Sequence, residues 1–280
     1  MSCSDLSQRL RSNPTHLQHN RYDGYMNPSS RPHLTIITGA SRGMGLAMAR
    51  QLLKPGDTVL CISRTVQPAL AQLAEDTGTT LLQWTHDLAE GALLSTRLET
   101  WLGELASATW ASASLINNAG MIPRIGPLSA ADAVDLGRAL RVGLEAPMQL
   151  TAAFLRATEG WPSQRKVLNI SSGLGRRAMA SQAGYCAAKA GMDHFTRCVA
   201  LEEALKPQGA KLCSLAPGVI DTDMQVQLRA ANRADFPDQD SFLGLKASGS
   251  LTSPNEAARR LLAYLARPDF GANPVADVRD

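Results

Sequence analysis

The chain has 280 residues, of which 44% are hydrophobic, 19% charged and 5% aromatic, and its formal net charge is +3. A nearly neutral chain with few aromatic side chains argues against a nucleic-acid binder, and no apolar run approaches the ~18 residues that a membrane span needs. The five cysteines are scattered without metal-ligand spacing, so we predict neither a disulfide framework nor a metal site.

The first 32 residues are polar and rich in arginine and serine. They lack the apolar segment of a secretory signal, which leads us to expect a cytoplasmic protein. We predict a mostly disordered tail over residues 1–32. The pattern beyond it shows no internal repeat and no low-complexity linker, and we predict a single domain over residues 33–280.

Apolar strand-like runs alternate with helical stretches along this domain. The predicted strands are 34–40, 58–63, 79–88, 113–120, 166–172, 210–218 and 273–278, and the predicted helices are 43–56, 66–78, 91–108, 130–158, 183–205 and 254–267. Strict alternation predicts an α/β fold with a doubly wound, Rossmann-like parallel sheet of about seven strands. Residues 222–252 show few periodic apolar positions, so we expect a long loop with a functional role there.

A glycine-rich turn, TGASRGMG at 38–45, joins the first strand to the first helix. Its glycines, Gly39, Gly43 and Gly45, would let the backbone approach a pyrophosphate at the helix N-terminus. The spacing differs from G-x-G-x-x-G, and similar turns occur without any ligand. Its position in the first strand–helix unit nevertheless favours a dinucleotide site that also includes Ser41, Arg42 and Met44.

The end of the second strand bears on which dinucleotide binds. The sequence CISRT places Ser63 and Arg64 where an acidic residue would bind a ribose 2′-hydroxyl. Arg42 adds a second cation. Either arginine alone could be a solvated surface residue, but a guanidinium grips a phosphate in bidentate fashion. Together they favour NADP over NAD.

The sequence GYCAAK places Tyr185 and Lys189 one helical turn apart, on the same face of a helix. Before desolvation opposes it, an ammonium ~4 Å from a partly buried phenol would lower the phenol's pKa by about three units, so we expect a pKa nearer neutrality, where acid–base catalysis works best. Ser172 ends the fifth strand, where its hydroxyl could bind the same substrate oxygen. The alternatives are a turn cap for Ser172 and an ordinary helix face for the pair.

These motifs, in this order, resemble the short-chain dehydrogenase/reductase family from about Leu34 to Val278. The thirteen-residue spacing from Ser172 to Tyr185 and the four-residue spacing to Lys189 match the catalytic spacing of the family, with Tyr185 as the acid/base. APM at 146–148 and the DVRD ending also resemble the branch that contains sepiapterin and benzil reductases. The resemblance implies a coenzyme site formed by Gly39, Ser41, Arg42, Gly43, Met44, Gly45, Ser63, Arg64, Asp87, Leu88, Asn118, Ala119, Gly120, Tyr185, Lys189, Pro217, Gly218, Ile220 and Thr222.

It further implies an NADP-dependent oxidoreductase that interconverts a small-molecule carbonyl and an alcohol, and a homodimer or homotetramer paired through the two long helices. One position departs from the family. Many members carry an asparagine in the helix after the fourth strand, and its local perturbation holds a water that links the lysine to solvent. The matching position here is Gly143. A catalytically impaired NADP-binding sensor or scaffold is therefore the alternative, although glycine can instead mark close helix packing.

Overall fold

The computed structural model describes residues 31–280, so the predicted tail lies outside the described residues except for its last two positions. Within this range the strands are β1 His33–Thr38, β2 Thr58–Ser63, β3 Thr80–Thr85, β4 Ser112–Asn117, β5 Gln164–Ile170, β6 Lys211–Ala216 and β7 Val275–Asp277. They form one sheet in the order β3-β2-β1-β4-β5-β6-β7, and every pairing is parallel. The predicted doubly wound α/β fold with about seven strands is confirmed.

Helices cover both faces of this sheet. They are α1 Gly43–Leu52, α2 Pro68–Thr77, α3 Gly91–Gly103, α4 Ala133–Leu140, α5 Ala146–Ala157, α6 Ala183–Ala204, α7 Asp223–Arg229, α8 Gln239–Ala247 and α9 Pro254–Ala266. Successive side chains of a strand point to opposite faces, and β1 supplies both cores: Leu34 and Ile36 pack on the side of α3 and α5, whereas Ile37 packs on the side of α1 and α9. Because both faces are buried, the strands are almost continuously apolar.

The strand order places a crevice beside β1. The chain runs outward from β1 to β3 and then returns to β4 on the other side. At such a reversal the two connecting loops diverge, which leaves room for a ligand beyond the carboxyl ends of the strands. The glycine-rich turn after β1 and the turn after β4 border this crevice.

The predicted helix over 130–158 is wrong in its continuity. A short 3-10 turn at Leu128–Ala130 precedes α4, and a π turn at Arg141–Glu145 separates α4 from α5. A π turn inserts a residue into the helical hydrogen-bond ladder. Gly143 lies buried in this turn, and a Cβ there would approach Ala188 Cβ of α6 to 3.2 Å.

The long loop predicted over 222–252 is also wrong, because α7 and α8 lie within it. Leu228, Phe236 and Phe242 form a small apolar cluster with Met179 and Ile122. The rings of Phe236 and Phe242 stack with centroids 5.5 Å apart. These contacts with the rest of the fold stabilise two helices that are too short to show a clear sequence period.

The last strand, predicted over 273–278, is limited to Val275–Asp277. Among the helices of residues 31–280, none combines the length and the apolar content that crossing a membrane requires. The same residues contain no group of three or more His, Cys, Asp and Glu side chains that could hold a metal ion. The four cysteines in this range are all free thiols.

Candidate active site

A cavity of about 740 Å³ opens at the carboxyl ends of the strands. It brings together every residue that the sequence predicted for the site, namely Gly39, Ser41, Arg42, Gly43, Met44, Gly45, Ser63, Arg64, Asp87, Leu88, Asn118, Ala119, Gly120, Ser172, Tyr185, Lys189, Pro217, Gly218, Ile220 and Thr222. These residues come from the carboxyl ends of six strands, β1 to β6, and from the loops and helices that follow them. The fold therefore gathers them into one continuous wall.

The glycine turn after β1 forms a narrow cradle. Gly39 has a φ of +71°, which side chains rarely tolerate, and a Cβ at Gly45 would lie 2.1 Å from the carbonyl oxygen of Gly39. No side chain caps the start of α1, and its first turn holds no acidic residue. The N–H groups of that turn are therefore free to bind an anion.

The turn after β4 is tied to the end of β1. The backbone N–H groups of Asn118 and Ala119 donate to Thr38 Oγ1 at 3.0 and 3.1 Å. Asn118 Nδ2 donates to the Thr38 carbonyl at 3.0 Å. The amide of Asn118 thus holds the two turns together, and it contributes to the cavity by shaping its floor.

The loop after β6 forms another wall, with Gly218 at a φ of +83°. Ile220 forms an isolated parallel bridge with Thr252, whose N–H donates to the Val219 carbonyl at 2.9 Å. The next turn begins α7 directly after Thr222. The loop is therefore fixed by its bridge to Thr252 and by the start of α7.

The two arginines predicted to bind a 2′-phosphate have different surroundings. Arg64 is exposed, and its guanidinium forms no ion pair with any residue of the described range. Arg42 donates from Nη1 to Asp223 Oδ2 at 2.9 Å, and both side chains are about two-thirds exposed. Asp223 was not predicted as a site residue, and it places a carboxylate against one of the two cations.

Asp87, which the family resemblance places in the coenzyme site, is held by two hydrogen bonds. Its Oδ1 accepts from the backbone N–H of Ala89 at 3.0 Å, and its Oδ2 accepts from Arg138 Nη2 at 2.6 Å. Arg138 lines the same cavity from α4. Sequence analysis missed it, and the two residues lie 51 positions apart with no motif between them.

Tyr185 and Lys189 lie one turn apart on α6 and are both buried, with exposures of 8% and 4%. Lys189 Nζ lies 5.8 Å from the centre of the Tyr185 ring and donates to the carbonyl of Ile170 at 2.7 Å. Ser172 lines the cavity beside them, and its Oγ accepts from Leu174 N–H at 3.2 Å. The turn-cap interpretation of Ser172 therefore also holds, since a hydroxyl can accept one hydrogen bond and donate another.

The expected fall in the tyrosine pKa is wrong. Burial raises the pKa of Tyr185 to about 12, and the Ser172 hydroxyl offsets this only in part. Burial also lowers the pKa of Lys189 to about 8, with the nearby charge of Asp193 opposing the fall. Removal from water outweighs the attraction of the ammonium, because the phenolate loses its hydration and the ammonium is not in hydrogen-bond contact with it. The phenol is thus fully protonated at pH 7, and the amine is mostly charged.

Asp193, which was not predicted, binds side chains next to Ser172 and on β6. Its carboxylate is 2% exposed and accepts from Ser171 Oγ at 2.5 Å, Ser214 Oγ at 2.7 Å and Arg176 Nε at 3.3 Å. Its position four residues after Lys189 is a signal that the sequence could have supplied. Because the Ser171 hydroxyl donates to Asp193, Ser172 is the serine of this pair that remains available to a ligand.

Residues 33–233 match the family described as short chain dehydrogenase. The chain is 37% identical over 235 residues to a benzil reductase ((S)-benzoin forming) of Bacillus cereus, which covers 84% of this chain and 94% of that protein. It is 30% identical over 262 residues to a sepiapterin reductase of Xenopus laevis, and the aligned region covers 88% of this chain and 95% of that protein. A solved short-chain dehydrogenase/reductase of Burkholderia vietnamiensis is 34% identical with a TM-score of 0.57. The aligned region covers 89% of this chain and 98% of that structure.

The match extends over most of the described fold, and the relatives are aligned over nearly their full length. Solved structures of this fold were determined with NAD or with NADP. The glycine cradle and the uncapped start of α1 are features that would suit the pyrophosphate of such a dinucleotide. The chain belongs to the short-chain dehydrogenase family of oxidoreductases.

Proposed function

We propose that this protein is an NADP-dependent carbonyl reductase of small molecules in which Tyr185 donates the proton. The observation that supports this most directly is that Ser172, Tyr185 and Lys189 line the same cavity as the glycine cradle. Both relatives named above are reductases, and benzil is a vicinal diketone. Diketones are therefore the first substrates to test.

The coenzyme would be held by residues whose geometry suits an extended, anionic ligand. A Cβ at Gly45 would collide with the Gly39 carbonyl oxygen and one at Gly39 would crowd Asn118, so the tight turn that would hold the coenzyme needs glycine at both positions. The free N–H groups of the first turn of α1 favour a pyrophosphate. When bound, the reduced nicotinamide supplies the hydride that the carbonyl carbon accepts.

The preference for NADP over NAD rests on charge. Arg64 directly follows β2 and forms no ion pair with any described residue, and Arg42 lines the same cavity. A guanidinium attracts the 2′-phosphate, while a ribose with a free 2′-hydroxyl gains less from it. Arg42 would have to exchange its ion pair with Asp223 for the phosphate.

The proton would come from the phenol of Tyr185. A pKa of about 12 keeps this group protonated at neutral pH, which is the state that carbonyl reduction requires. The Ser172 hydroxyl would donate to the same carbonyl oxygen and hold it in place. As the phenol loses its proton, the charge of Lys189 on the next turn would stabilise the phenolate.

Gly143 gives little support to the alternative of a sensor without catalysis. The perturbed helix that the family resemblance predicts is present as the π turn at Arg141–Glu145. Gly143 packs against Ala188, the residue before Lys189. We interpret the glycine as a packing position that keeps this turn close to α6.

We also propose assembly into a homodimer or homotetramer through α4, α5 and α6. Three apolar side chains on α4, on α6 and directly after α6 are largely exposed: Val134 at 73%, Leu201 at 72% and Leu205 at 87%. Exposed apolar groups on neighbouring helices favour association. Sedimentation equilibrium would test this, and a monomer at all concentrations would contradict it.

The proposed activity is tested by following coenzyme oxidation with a panel of diketones, quinones and pteridines. We expect NADPH oxidation with at least one carbonyl compound, and a lower KM for NADPH than for NADH. A purified, folded protein that binds NADPH but oxidises it with none of them would overturn the proposal. A lower KM for NADH would overturn the coenzyme preference alone.

A further inference from the structure

Gln182 is a buried amide without a hydrogen-bond partner in the cavity wall. It precedes α6 directly and lies three residues before Tyr185. Its side chain is part of a residue only 1% exposed, and neither Oε1 nor Nε2 contacts a donor or acceptor among the described residues. Buried polar groups are nearly always satisfied, so one that is not requires an explanation.

The backbone before Gln182 is held in an unusual conformation. Ser181 has a φ of +64°, which no other non-glycine residue of the described range shares in sign. Its Oγ donates to the Asp235 carbonyl at 2.5 Å, and its carbonyl accepts from Gly126 N–H at 3.3 Å. Such strain persists where the surroundings enforce it and is concentrated at functional sites. Here it fixes where the Gln182 side chain begins.

A second, small cavity on the other side of Gln182 offers a competing explanation. Its volume is about 20 Å³, which is enough for one water molecule. Such a water would bind the amide for structural reasons alone. Gln182 lines both cavities, so the two explanations have to be separated by experiment.

A second amide, that of Gln225 on α7, also lines the large cavity. Only its Oε1 is fully buried without a hydrogen-bond partner, whereas both amide atoms of Gln182 are in that state. The unpaired N–H donor of Gln182 belongs to a residue that lines the same cavity as Tyr185, three positions further along the chain.

Resting on the proposed reductase function, we propose that Gln182 is a specificity-determining residue. Its Nε2 donates a hydrogen bond to a second oxygen of the substrate, on the carbon next to the reacting carbonyl. The preferred substrates are therefore vicinal dicarbonyl compounds. Tyr185 and Ser172 bind the reacting oxygen, and Gln182 binds the neighbouring one.

The test compares benzil with deoxybenzoin, in which a methylene replaces one of the two carbonyl groups. Gln182→Met removes the amide and keeps its approximate length. We expect the ratio of kcat/KM for benzil to kcat/KM for deoxybenzoin to fall roughly tenfold, the effect of one lost hydrogen bond. Gln149→Met is the matched control, because Gln149 Oε1 also lacks a partner but lies outside the cavity. Its ratio should equal that of the wild type.

Two results would overturn the inference. In both, the ratio stays at the wild-type value: an equal loss of kcat/KM for both substrates would assign Gln182 to packing or to a structural water, and no loss for either would assign it no role. If Gln182→Met does not fold, Gln182→Glu serves instead. Its carboxylate accepts only, and the same fall in the ratio is expected.

The role of Gln182 and the reductase activity are tested by different results, so either can be excluded without the other. Binding of benzil and of deoxybenzoin to the protein saturated with NADP⁺ gives the same comparison without turnover. A wild type that binds NADPH but reduces no compound of the diketone, quinone and pteridine panel would contradict the proposed function. The loss of benzil's binding advantage in Gln182→Met would still support the role of Gln182, and a retained advantage would overturn it.

Discussion

Arg42 and Asp223, which both line the cavity, form an ion pair at 2.9 Å that joins the glycine turn to the start of α7. In this pair the Arg42 guanidinium, which would otherwise bind a 2′-phosphate, is bound to the Asp223 carboxylate. We expect Asp223→Asn to lower the KM for NADPH about two- to fivefold, because exposed ion pairs contribute little and are easily exchanged. The KM for NADH should not change.

The control for this prediction is Asp240→Asn, which removes a comparable exposed ion pair between Asp240 of α8 and Arg233. Steady-state kinetics with both coenzymes would decide. A higher KM for NADPH in Asp223→Asn, or an equal change for NADH, would mean that Asp223 does not compete with the phosphate.

Arg64 is the other cation of this region, and we expect Arg64→Ala to raise the KM for NADPH about tenfold. The reason is the loss of a charge-assisted hydrogen bond to the phosphate. Arg50→Ala, at an exposed position in the last turn of α1, is the matched control. If Arg64→Ala raised the KM for NADH by the same factor, the residue would not discriminate between the coenzymes.

The pKa values predict how carbonyl reduction depends on pH. Tyr185 stays protonated until about pH 12, so it does not limit the rate in the usual range. Lys189, with its pKa lowered by burial to about 8, loses its charge as the pH rises through that value. We therefore expect kcat to fall above about pH 8.

This profile is measured as kcat for benzil between about pH 7 and about pH 10. Lys189→Arg keeps its charge over this whole range, so whatever activity it retains should lack the alkaline fall. A wild-type kcat that stays flat to about pH 10 would exclude the lysine charge as a requirement.

Asp193 affects both stability and this profile. Its carboxylate accepts from Ser171, Ser214 and Arg176, and its charge raises the pKa of Lys189. We expect Asp193→Asn to lower the free energy of unfolding by about 1–3 kcal/mol. The alkaline fall of kcat should move to lower pH, because the ammonium loses a favourable neighbour.

Urea denaturation and the pH profile of the same variant test the two effects separately. A loss of stability with no movement of the profile would limit Asp193 to a packing role. A profile that moved to higher pH would contradict the sign of its effect on Lys189.

Most of the fold was predictable because its strands are continuous apolar runs and its turns hold glycine. The strand around Leu34 and Ile37 is buried on both faces, and this produces a pattern that is visible in the sequence. The helices α7 and α8 were not predictable, since Phe236 and Phe242 are separated from their contacts, such as Ile122, by more than a hundred residues. The break at Gly143 lies inside a helical pattern and has no composition signal of its own.

The cavity-lining motifs were predictable for a similar reason, because each follows a strand end at a fixed spacing. Their surroundings were not. Asp223 meets Arg42 across 181 residues, and no local pattern encodes that contact. The pKa of Tyr185 depends on how completely the fold removes the phenol from water, and the spacing to Lys189 contains no information about that.

The most direct test of the central claim is the Tyr185→Phe variant, assayed for NADPH oxidation with a carbonyl compound that the wild type reduces. We predict that kcat falls by about 10²- to 10⁴-fold, the range for losing a general acid, while NADPH binding measured by fluorescence titration is retained. A variant that binds NADPH and reduces the substrate at the wild-type rate would contradict the account.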